Sequence, residues 1–576
     1  MNKKDVIRLL ETIALYLEIK GENPFKIAAY RRAAQTLEID KRSLEEIEDL
    51  GKLKGIGKKT ESVITEYIKT GHSLLLEELE REIPKSLLQL LQIPGLGGKK
   101  ISKLYQKLHI EDIVMLEEAC RNHLVQTLPG FGKKTEENII KAIEKIKYRP
   151  ERLPIAYMLK VADTVEKQLV SMKGIQTFSR GGSLRRMEET IKDVDFIIAT
   201  DEPKKVREQL VQIEAVKEVI ASGDTKVSVT LQFEYEVNVD FRLVTCKEYS
   251  TTLHHFTGSK EHNVLMRQLA KSRGEKISEY GVTQIESGEI FTFSSETEFF
   301  NHFGMHYIPP ECRQGTEELE RFKNDSFYLK QSDIKSDLHM HTTWSDGAHS
   351  IMEMAQACRK MGYEYIVITD HSKYLKVAGG LDEKELIKQQ QEIKEVNEQF
   401  DDFHIFSGIE MDILPDGTLD FSNETLASLD FVIASIHSSF NQPENQIMKR
   451  MEQAMKNPYV TLIAHPTGRL LGRREGYAVD LEHLIEMAKQ TNTALECNTN
   501  PHRLDLSSEW LKQAKEHDVV VALNTDSHHT GMLLDMKYGL ALANRAGLKK
   551  SDVMNTWDKE TFIHFVQKKR RLAKED

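Results

Sequence analysis

Residues 337–347 read DLHMHTTWSDG, and the reading of this stretch decides the fold of the C-terminal part of the chain. His339 and His341 stand two apart, so in an extended strand both imidazoles leave the same face. Asp346 follows closely enough to add an oxygen ligand. An isolated His-x-His reads most simply as a solvated surface strand, but the pattern downstream changes that. Short apolar runs recur, each reaching a residue able to bind a metal. YIVITDH (365–371) ends in Asp370 and His371, IFSGIE (405–410) in Glu410, and FVIASIH (431–437) in His437. VTLIAHP (460–466) carries His465, TALECNTN (493–500) carries Glu496, and VVVALNTDSHH (519–529) carries Asp526, His528 and His529. Helical patterns lie between them. This is the alternation of a β/α barrel, whose chemistry sits at the C-terminal ends of its strands. The ligand set mixes imidazole and carboxylate without thiolate, which favours Mn²⁺, Zn²⁺ or Fe²⁺ over a structural zinc knot. It exceeds the needs of one ion, so two or three are expected.

The chain has 576 residues, too many for one ordinary domain. With 40% hydrophobic and 29% charged residues it has the composition of a soluble globular protein. No apolar run reaches membrane-spanning length, and the opening MNKKDVIRLLETIALYL reads as an amphipathic helix, neither signal peptide nor span. Five scattered cysteines without CxxC spacing fit a reducing cytoplasm. Net charge is −11, yet residues 1–150 carry 27 Lys and Arg against 23 Asp and Glu. A slightly basic front on an acidic body suggests that polyanion contact is concentrated at one end.

That front reads as helices interrupted by three similar turns: LKGIGKK (53–59), IPGLGGKK (93–100) and LPGFGKK (128–134). Two glycines flanking one apolar residue let the backbone turn tightly while that residue plugs into the core. The amides opening the next helix then face outward with its dipole behind them, which makes an anion site. The expected contacts are Gly55, Gly57 and Lys59, then Gly95, Gly97 and Lys99, then Gly130, Gly132 and Lys133. No side chain is placed to read bases, so such turns would hold a phosphate backbone without sequence preference. They resemble helix-hairpin-helix motifs.

From about residue 150 the pattern becomes mixed α and β. In FSRGGSLRRMEETIKDVDFIIAT (178–200), Asp193 and Asp195 lead into an apolar strand, two apart and pointing the same way. Asp240 ends the alternating strand YEVNVDFRL (235–243). Three hard oxygen ligands on adjacent strands suit a pair of Mg²⁺ ions and nucleotidyl transfer to a 3′-hydroxyl. Upstream, Gly182 and Ser183 offer a backbone-plus-hydroxyl cradle for phosphate, followed by Arg185 and Arg186.

Gly-Ser followed by Arg-Arg and then Asp-x-Asp resembles the palm of family X DNA polymerases. HHFTGSKEHNVLMR (254–267) resembles that family's Tyr-Phe-Thr-Gly-Ser turn and the helix after it. The resemblance implies that Phe256, Thr257 and Gly258 pack on the nucleotide sugar, that Asn263 lines the nascent base pair, and that Arg267 meets the template. It implies Asp193, Asp195 and Asp240 as catalytic Mg²⁺ ligands, and Gly182, Ser183 and Arg186 as nucleotide contacts. Three departures stand out. His255 occupies the place of a common tyrosine, and Met187 and Lys192 replace small residues. Val63 stands where some relatives carry a Schiff-base lysine for removing deoxyribose phosphate.

The C-terminal pattern resembles the polymerase and histidinol phosphatase (PHP) domain, a metal-dependent phosphoesterase. The resemblance implies as ligands His339, His341, Asp346, His371, Glu410, His437, His465, Asp526 and His528. Arg469 and Arg503 are candidate phosphate contacts, and His349, His502 and His529 have weaker claims. The chain is thus expected to be a multidomain α+β and α/β protein. Helical DNA-end-binding (1–78) and fingers (79–150) units precede a polymerase-beta-like nucleotidyltransferase palm (151–245) and thumb (246–316). A linker (317–332) then leads to the β/α-barrel PHP domain (333–576). The expected function is gap-filling DNA repair synthesis with a 3′→5′ exonuclease, and abasic-site endonuclease activity as a further possibility, in a cytoplasmic monomer. The partners are gapped or nicked DNA and dNTPs, with no membrane. Two alternatives stand beside it: a PHP domain acting as a small-molecule phosphatase, and a non-enzymatic DNA-end tether.

Overall fold

The computed structural model describes residues 3–39, 47, 49–93, 95–148 and 151–575, in two compact units, Met1–Glu151 and Arg152–Asp576. No helix among the described residues is long and apolar enough to cross a membrane.

The first unit is helical. In the helix Lys3–Lys20, Val6, Leu10, Ile13 and Leu17 recur at three- and four-residue spacing and are buried, the pattern of an amphipathic helix committing one face to a core. That core runs without a break through Leu87, Leu90, Ile101 and Leu104 to Ile139 and Ile143. The expected boundary at residue 78 therefore falls inside one continuous apolar cluster. Local motif spacing marks repeats but does not report which repeats share a core.

The second unit opens with a mixed sheet of β1 (Thr177–Arg180), β2 (Val194–Ala199), β3 (Val216–Ser222), β4 (Lys226–Gln232) and β5 (Glu236–Val244). The spatial order is β1-β2-β5-β4-β3. Only β2 and β5 run parallel, and their register sets Asp195 opposite Asp240. Period-two alternation turns Val194, Phe196 and Ile198 into the core, where Phe196 stacks on Phe241 at 5.7 Å. The intervening acids are thereby sent to the opposite face.

The helices Cys246–Thr257 and Lys260–Ser272, a small antiparallel sheet and the helix Glu296–His302 follow. Their core gathers Met266, Phe299, Phe300 and Phe303, together with Phe322. Phe322 lies on the helix Glu318–Asn324, within the segment 317–332 expected as a linker. Leu329, at the other end of that segment, joins the large core shared by the palm and the barrel. The acidic composition suggested a loose connection. The apolar residues set among those acids make it a strap tied down at both ends.

The barrel consists of β6 (Ser336–Asp337), β7 (Tyr365–Ile368), β8 (His404–Asp412), β9 (Phe431–Ser435), β10 (Leu462–Ile463), β11 (Ala494–Asn498) and β12 (Val521–Asn524). All are parallel and paired in chain order. The ring closes just beyond the first and last strands, where Met340 bridges Ser527 and His341 N donates to Ser527 O at 2.8 Å. Leu338, Val367, Phe406, Ile433, Leu462, Ala494 and Ala522 form a separate apolar cluster with Phe562 and Val566 of the helix Lys559–Glu575. Phe562 packs 5.1 Å from Tyr365 and from Phe406, at the starts of their strands. That end is plugged, and the polar residues collect at the other, as β/α barrels require.

Candidate functional site

The palm centre is a pocket of mutual repulsion. Burial, then Asp193 and Asp240, push the Asp195 carboxyl up to about 7, and burial foremost raises Asp193 as well. Lys226 Nζ lies 2.8 Å from Asp240 Oδ2, and Ser228 Oγ donates to Asp240 Oδ1 at 2.6 Å. Carboxylates gathered on neighbouring strands in this way offer hard oxygen donors to a divalent cation. Gly182 serves this centre in two ways. Its φ of +60° belongs to the left-handed region, and a Cβ there would overlap Asp195 Oδ2 and stand 3.2 Å from Asp195 Cγ. Gly181 N donates to Asp195 O at 2.7 Å, so the loop follows β2 closely.

The sequence-predicted nucleotide residues lie on two segments that the structure brings together. Ser183 and Arg186 belong to the turn opened by Gly182. Arg186 Nη1 donates to Thr257 O at 2.8 Å, and Arg185 Nη1 to Thr257 Oγ1 at 2.7 Å. Phe256 packs under the Arg242 guanidinium at 4.5 Å. Asn263 Nδ2 donates to His255 O at 2.9 Å, holding the turn at Gly258, where a Cβ would lie 2.5 Å from the His262 ring. Arg267 is half-buried on the same helix. Arg185 faces away from any phosphate cradle. It pairs with buried Glu296, which also binds Arg313.

In the barrel, all nine expected ligands converge. Glu410 is the hub. Its Oε2 lies 2.9 Å from His371 Nδ1, 3.4 Å from His339 Nε2 and 3.5 Å from His341 Nε2. Its Oε1 lies 3.0 Å from His465 Nε2 and 3.2 Å from His437 Nε2. Asp526 Oδ1 stands 3.1 Å from His341 Nε2, while Asp346 Oδ1 faces His528 Nε2 at 3.4 Å and His371 Nε2 at 3.6 Å. Among the described residues three groups could each enclose an ion: His341, Asp346, His371 and His528; His339, His341 and Asp526; and His371, Glu410 and His437. His349, His502 and His529 fall in none of them.

His339 Nε2, His341 Nδ1, His371 Nδ1 and Glu410 Oε2 are buried and make no well-directed hydrogen bond, the last two despite lying 2.9 Å apart. Buried polar atoms rarely go unsatisfied, and orphans aimed at common points fit cation ligands. Burial opposes charge on His437, but Glu410 and Asp412 outweigh it and carry its pKa up to about 10. Burial chiefly holds the neighbouring His341 down, to about 3. Two of the expected ligands also sit in uncommon backbone conformations, His465 at φ +28° and Asp526 at φ +52°, the kind of strain that accumulates at functional sites.

Three supporting residues lie outside the nine expected ligands: Asp370 and Glu496, read from the sequence as metal-capable strand ends, and Asp412, which was not singled out. Glu496, legible only as an acid at a strand end, accepts from His339 Nδ1 at 2.8 Å. Asp412 lies 3.2 Å from His437 Nδ1. Both fix ring orientation and tautomer. Asp370 ties down the loop after His341 through Thr342, Ser345 and Gln389. Of the two candidate arginines, Arg503 lies beside Asp526, its Nε 3.6 Å from Oδ2. Arg469 does not point into the centre. It forms a two-pronged ion pair with Glu189 of the palm, a partner 280 positions away that no local reading could supply.

The three hairpins in the first unit share one geometry. Gly55, Gly95 and Gly130 have φ of +121°, +83° and +89°. The apolar residues after them, Ile56, Leu96 and Phe131, are buried, and each donates its N–H three residues back, to Leu53, Ile93 and Leu128. At Gly57, Gly97 and Gly132 a Cβ would meet nothing, so protein packing does not explain these glycines. Lys59, Lys99 and Lys133 are exposed beside them. Val63 lies one turn into the helix Lys58–Thr70 and is buried in the core.

The chain matches the helix-hairpin-helix domain family over residues 1–73, the SAM-like helix-hairpin-helix tandem over 87–145, the DNA polymerase beta thumb over 252–314 and the PHP domain over 337–500. It is 57% identical to the DNA polymerase/3′-5′ exonuclease PolX of Bacillus subtilis (strain 168), over 96% of this chain and 97% of that one. The chain belongs to the family X DNA polymerases with a C-terminal PHP domain. Much shorter proteins also match part of this chain. A probable phosphatase of Thermoanaerobacter sp. (strain X514) is 29% identical over 42% of this chain and 98% of its own length. One of Acetivibrio thermocellus is 28% identical over 41% of this chain and 95% of its own.

Proposed function

We propose that the chain fills gaps in DNA by template-directed nucleotidyl transfer in the palm and degrades DNA 3′→5′ in the PHP barrel. The observation that carries this reading is the presence in one chain of two centres of metal-capable side chains, the acids Asp193, Asp195 and Asp240 on neighbouring strands and the histidine and carboxylate cluster gathered on Glu410. In the palm, Asp193, Asp195 and Asp240 would hold Mg²⁺. Gly182 and Ser183 offer an amide and a hydroxyl to phosphate, and Arg186 braces the Thr257–Gly258 turn against which the sugar packs. Phe256 supplies an apolar surface there, while Asn263 and Arg267 face the base pair and template. In the barrel, two or three Mn²⁺ ions, with Zn²⁺ or Fe²⁺ as substitutes, suit the imidazole-rich set better than Mg²⁺ does. Divalent cations supply charge neutralisation at phosphate and activation of water or of a 3′-hydroxyl. Glu496 and Asp412 keep His339 and His437 in the orientation that binding needs. The hairpin glycines and lysines hold the backbone of gapped or nicked DNA. The chain acts as a cytoplasmic monomer on this reading, and incision at abasic sites is a further reaction within reach of the same centre.

The short probable phosphatases favour a second reading, in which the barrel hydrolyses small phosphomonoesters. A 5′-labelled primer on a gapped duplex separates the two readings. With dNTPs and Mg²⁺ it should lengthen, and without dNTPs in Mn²⁺ it should shorten. Asp195→Ala should lose lengthening alone, and the double variant His339→Ala/His341→Ala should lose shortening alone. If the folded double histidine variant shortens primers at the wild-type rate, the barrel is not the nuclease.

A further inference from the structure

Arg469 reaches two places at once. Its Nη1 and Nη2 bind Glu189 Oε2 and Oε1 at 3.1 and 2.7 Å, in the palm segment that follows the phosphate loop. The same guanidinium donates through Nε to Arg503 O at 3.1 Å and through Nη2 to Leu504 O. The turn it grips is held in an unfavourable shape, with Leu504 at φ +48°. The Asp505 carboxylate accepts from the amides of Thr467 and Gly468, each at 3.0 Å, so the Arg469 loop and the 503–505 turn form one bonded unit.

That turn presents Arg503 to the barrel's ligand cluster. The Arg503 side chain makes no hydrogen bond among the described residues, and its nearest anion is Asp526 at 3.6 Å, beyond hydrogen-bonding distance. A guanidinium left with open donors beside a metal-ligand cluster is built to take a phosphate, which Arg binds with two parallel N–H donors. Arg469, by contrast, has its donors committed.

We propose that Glu189, a palm residue, is a positioning residue for the barrel centre. Through Arg469 it fixes the Arg503–Asp505 turn, so that the Arg503 guanidinium meets a phosphate of the strand being degraded. This rests on reading the barrel as the nuclease. It makes the palm a structural part of the nuclease active site, and not merely its neighbour.

The test uses the full chain, a 5′-labelled single-stranded oligonucleotide and Mn²⁺, with KM and kcat measured separately. Arg503→Ala should raise KM about tenfold, the loss expected for one charge-assisted contact, with a smaller change in kcat. Glu189→Ala should raise KM about threefold to fivefold, with bound metal and the unfolding midpoint little changed, and Glu189→Gln should restore part of the loss. In the double variant Glu189→Ala/Arg503→Ala, KM should match that of Arg503→Ala alone, because the positioning residue then has nothing to position. Fully additive effects, or a wild-type KM in Glu189→Ala, would overturn the coupling. A wild-type KM in Arg503→Ala would overturn the phosphate contact. Continued degradation by His339→Ala/His341→Ala would locate the failure in the nuclease reading itself.

Discussion

Gly182→Ala should disable polymerisation without unfolding the palm or touching the nuclease. Two terms set the size of the effect. A non-glycine residue held at φ +60° costs about 1–2 kcal/mol. Against a domain stability of roughly 5–15 kcal/mol, that leaves the great majority of molecules folded. The second term falls on chemistry. The new methyl would overlap Asp195 Oδ2, which must retreat by about 1 Å to regain van der Waals separation. Displacements of that size at reacting groups cost on the order of 10²-fold in rate. Gly181→Ala is the control, because its Cβ would approach no closer than 3.3 Å, to Asp195 Cβ, and its φ of −125° is open to any residue. Single-turnover extension of a gapped primer in Mg²⁺ should therefore fall about a hundredfold in Gly182→Ala and far less in Gly181→Ala. Shortening in Mn²⁺ should stay at the wild-type rate in both. The reasoning fails if Gly182→Ala extends primers within a few-fold of wild type. It fails equally if both activities drop together while the unfolding midpoint holds.

Three further outcomes are expected. Burial pushes the Glu296 carboxyl up, but Arg313 and Arg185 outweigh it and hold it down at about 2, against an ordinary 4.5. A depressed carboxylate stabilises the fold above its unfolded pKa and loses that contribution as pH falls through its folded one, so Glu296→Gln should cost on the order of 2–3 kcal/mol at pH 7. In urea unfolding that deficit should shrink between about pH 4.5 and pH 2, and a deficit constant with pH would contradict the assignment. Borohydride reduction on a nicked abasic substrate should trap no adduct within residues 1–78, because Val63 is a buried apolar residue where a Schiff-base lysine would be needed. Metal analysis of purified protein should find more than one transition-metal equivalent, and markedly less in His339→Ala/His341→Ala, since two of the three candidate ion-enclosing groups include one or both of these histidines.

The parts of this molecule legible in its sequence are those set by short-range geometry. Period-two alternation put Asp193 with Asp195, and the recurrence of apolar runs ending in metal-capable residues revealed the barrel; His339 and His341 join one cluster, although the first strand, Ser336–Asp337, stops short of both. Each hairpin glycine could be read because the turn and the helix it opens are contiguous. What escaped depends on pairing across the chain. Glu496 could be seen as an acid at a strand end, but its bond to His339 exists only once β6 and β11 share a barrel. Arg469 carried no sign that its partner was Glu189 and not a substrate phosphate. The strap of 317–332 was hidden by composition, since four acids around Phe322 resemble solvent-facing chain until the thumb core is there to receive the ring. The single core of the first unit was equally beyond local reading, because motif repeats do not disclose shared burial.

The closure of the barrel has a consequence for how the second centre comes into being. His341 and Asp526, 185 positions apart, meet only where the first and last strands shut the ring, at the Met340–Ser527 bridge. A partly folded chain, however complete its other strands, presents neither half of that ligand pair in usable form. Cations that recognise the shut ring and not the open chain add to its stability in proportion to the logarithm of their free concentration. Metal supply and the integrity of the seam are then one equilibrium. With cations bound to these residues, chelation would loosen the ring and an opened ring would surrender its metal, so a molecule that lost its shape would lose this centre with it.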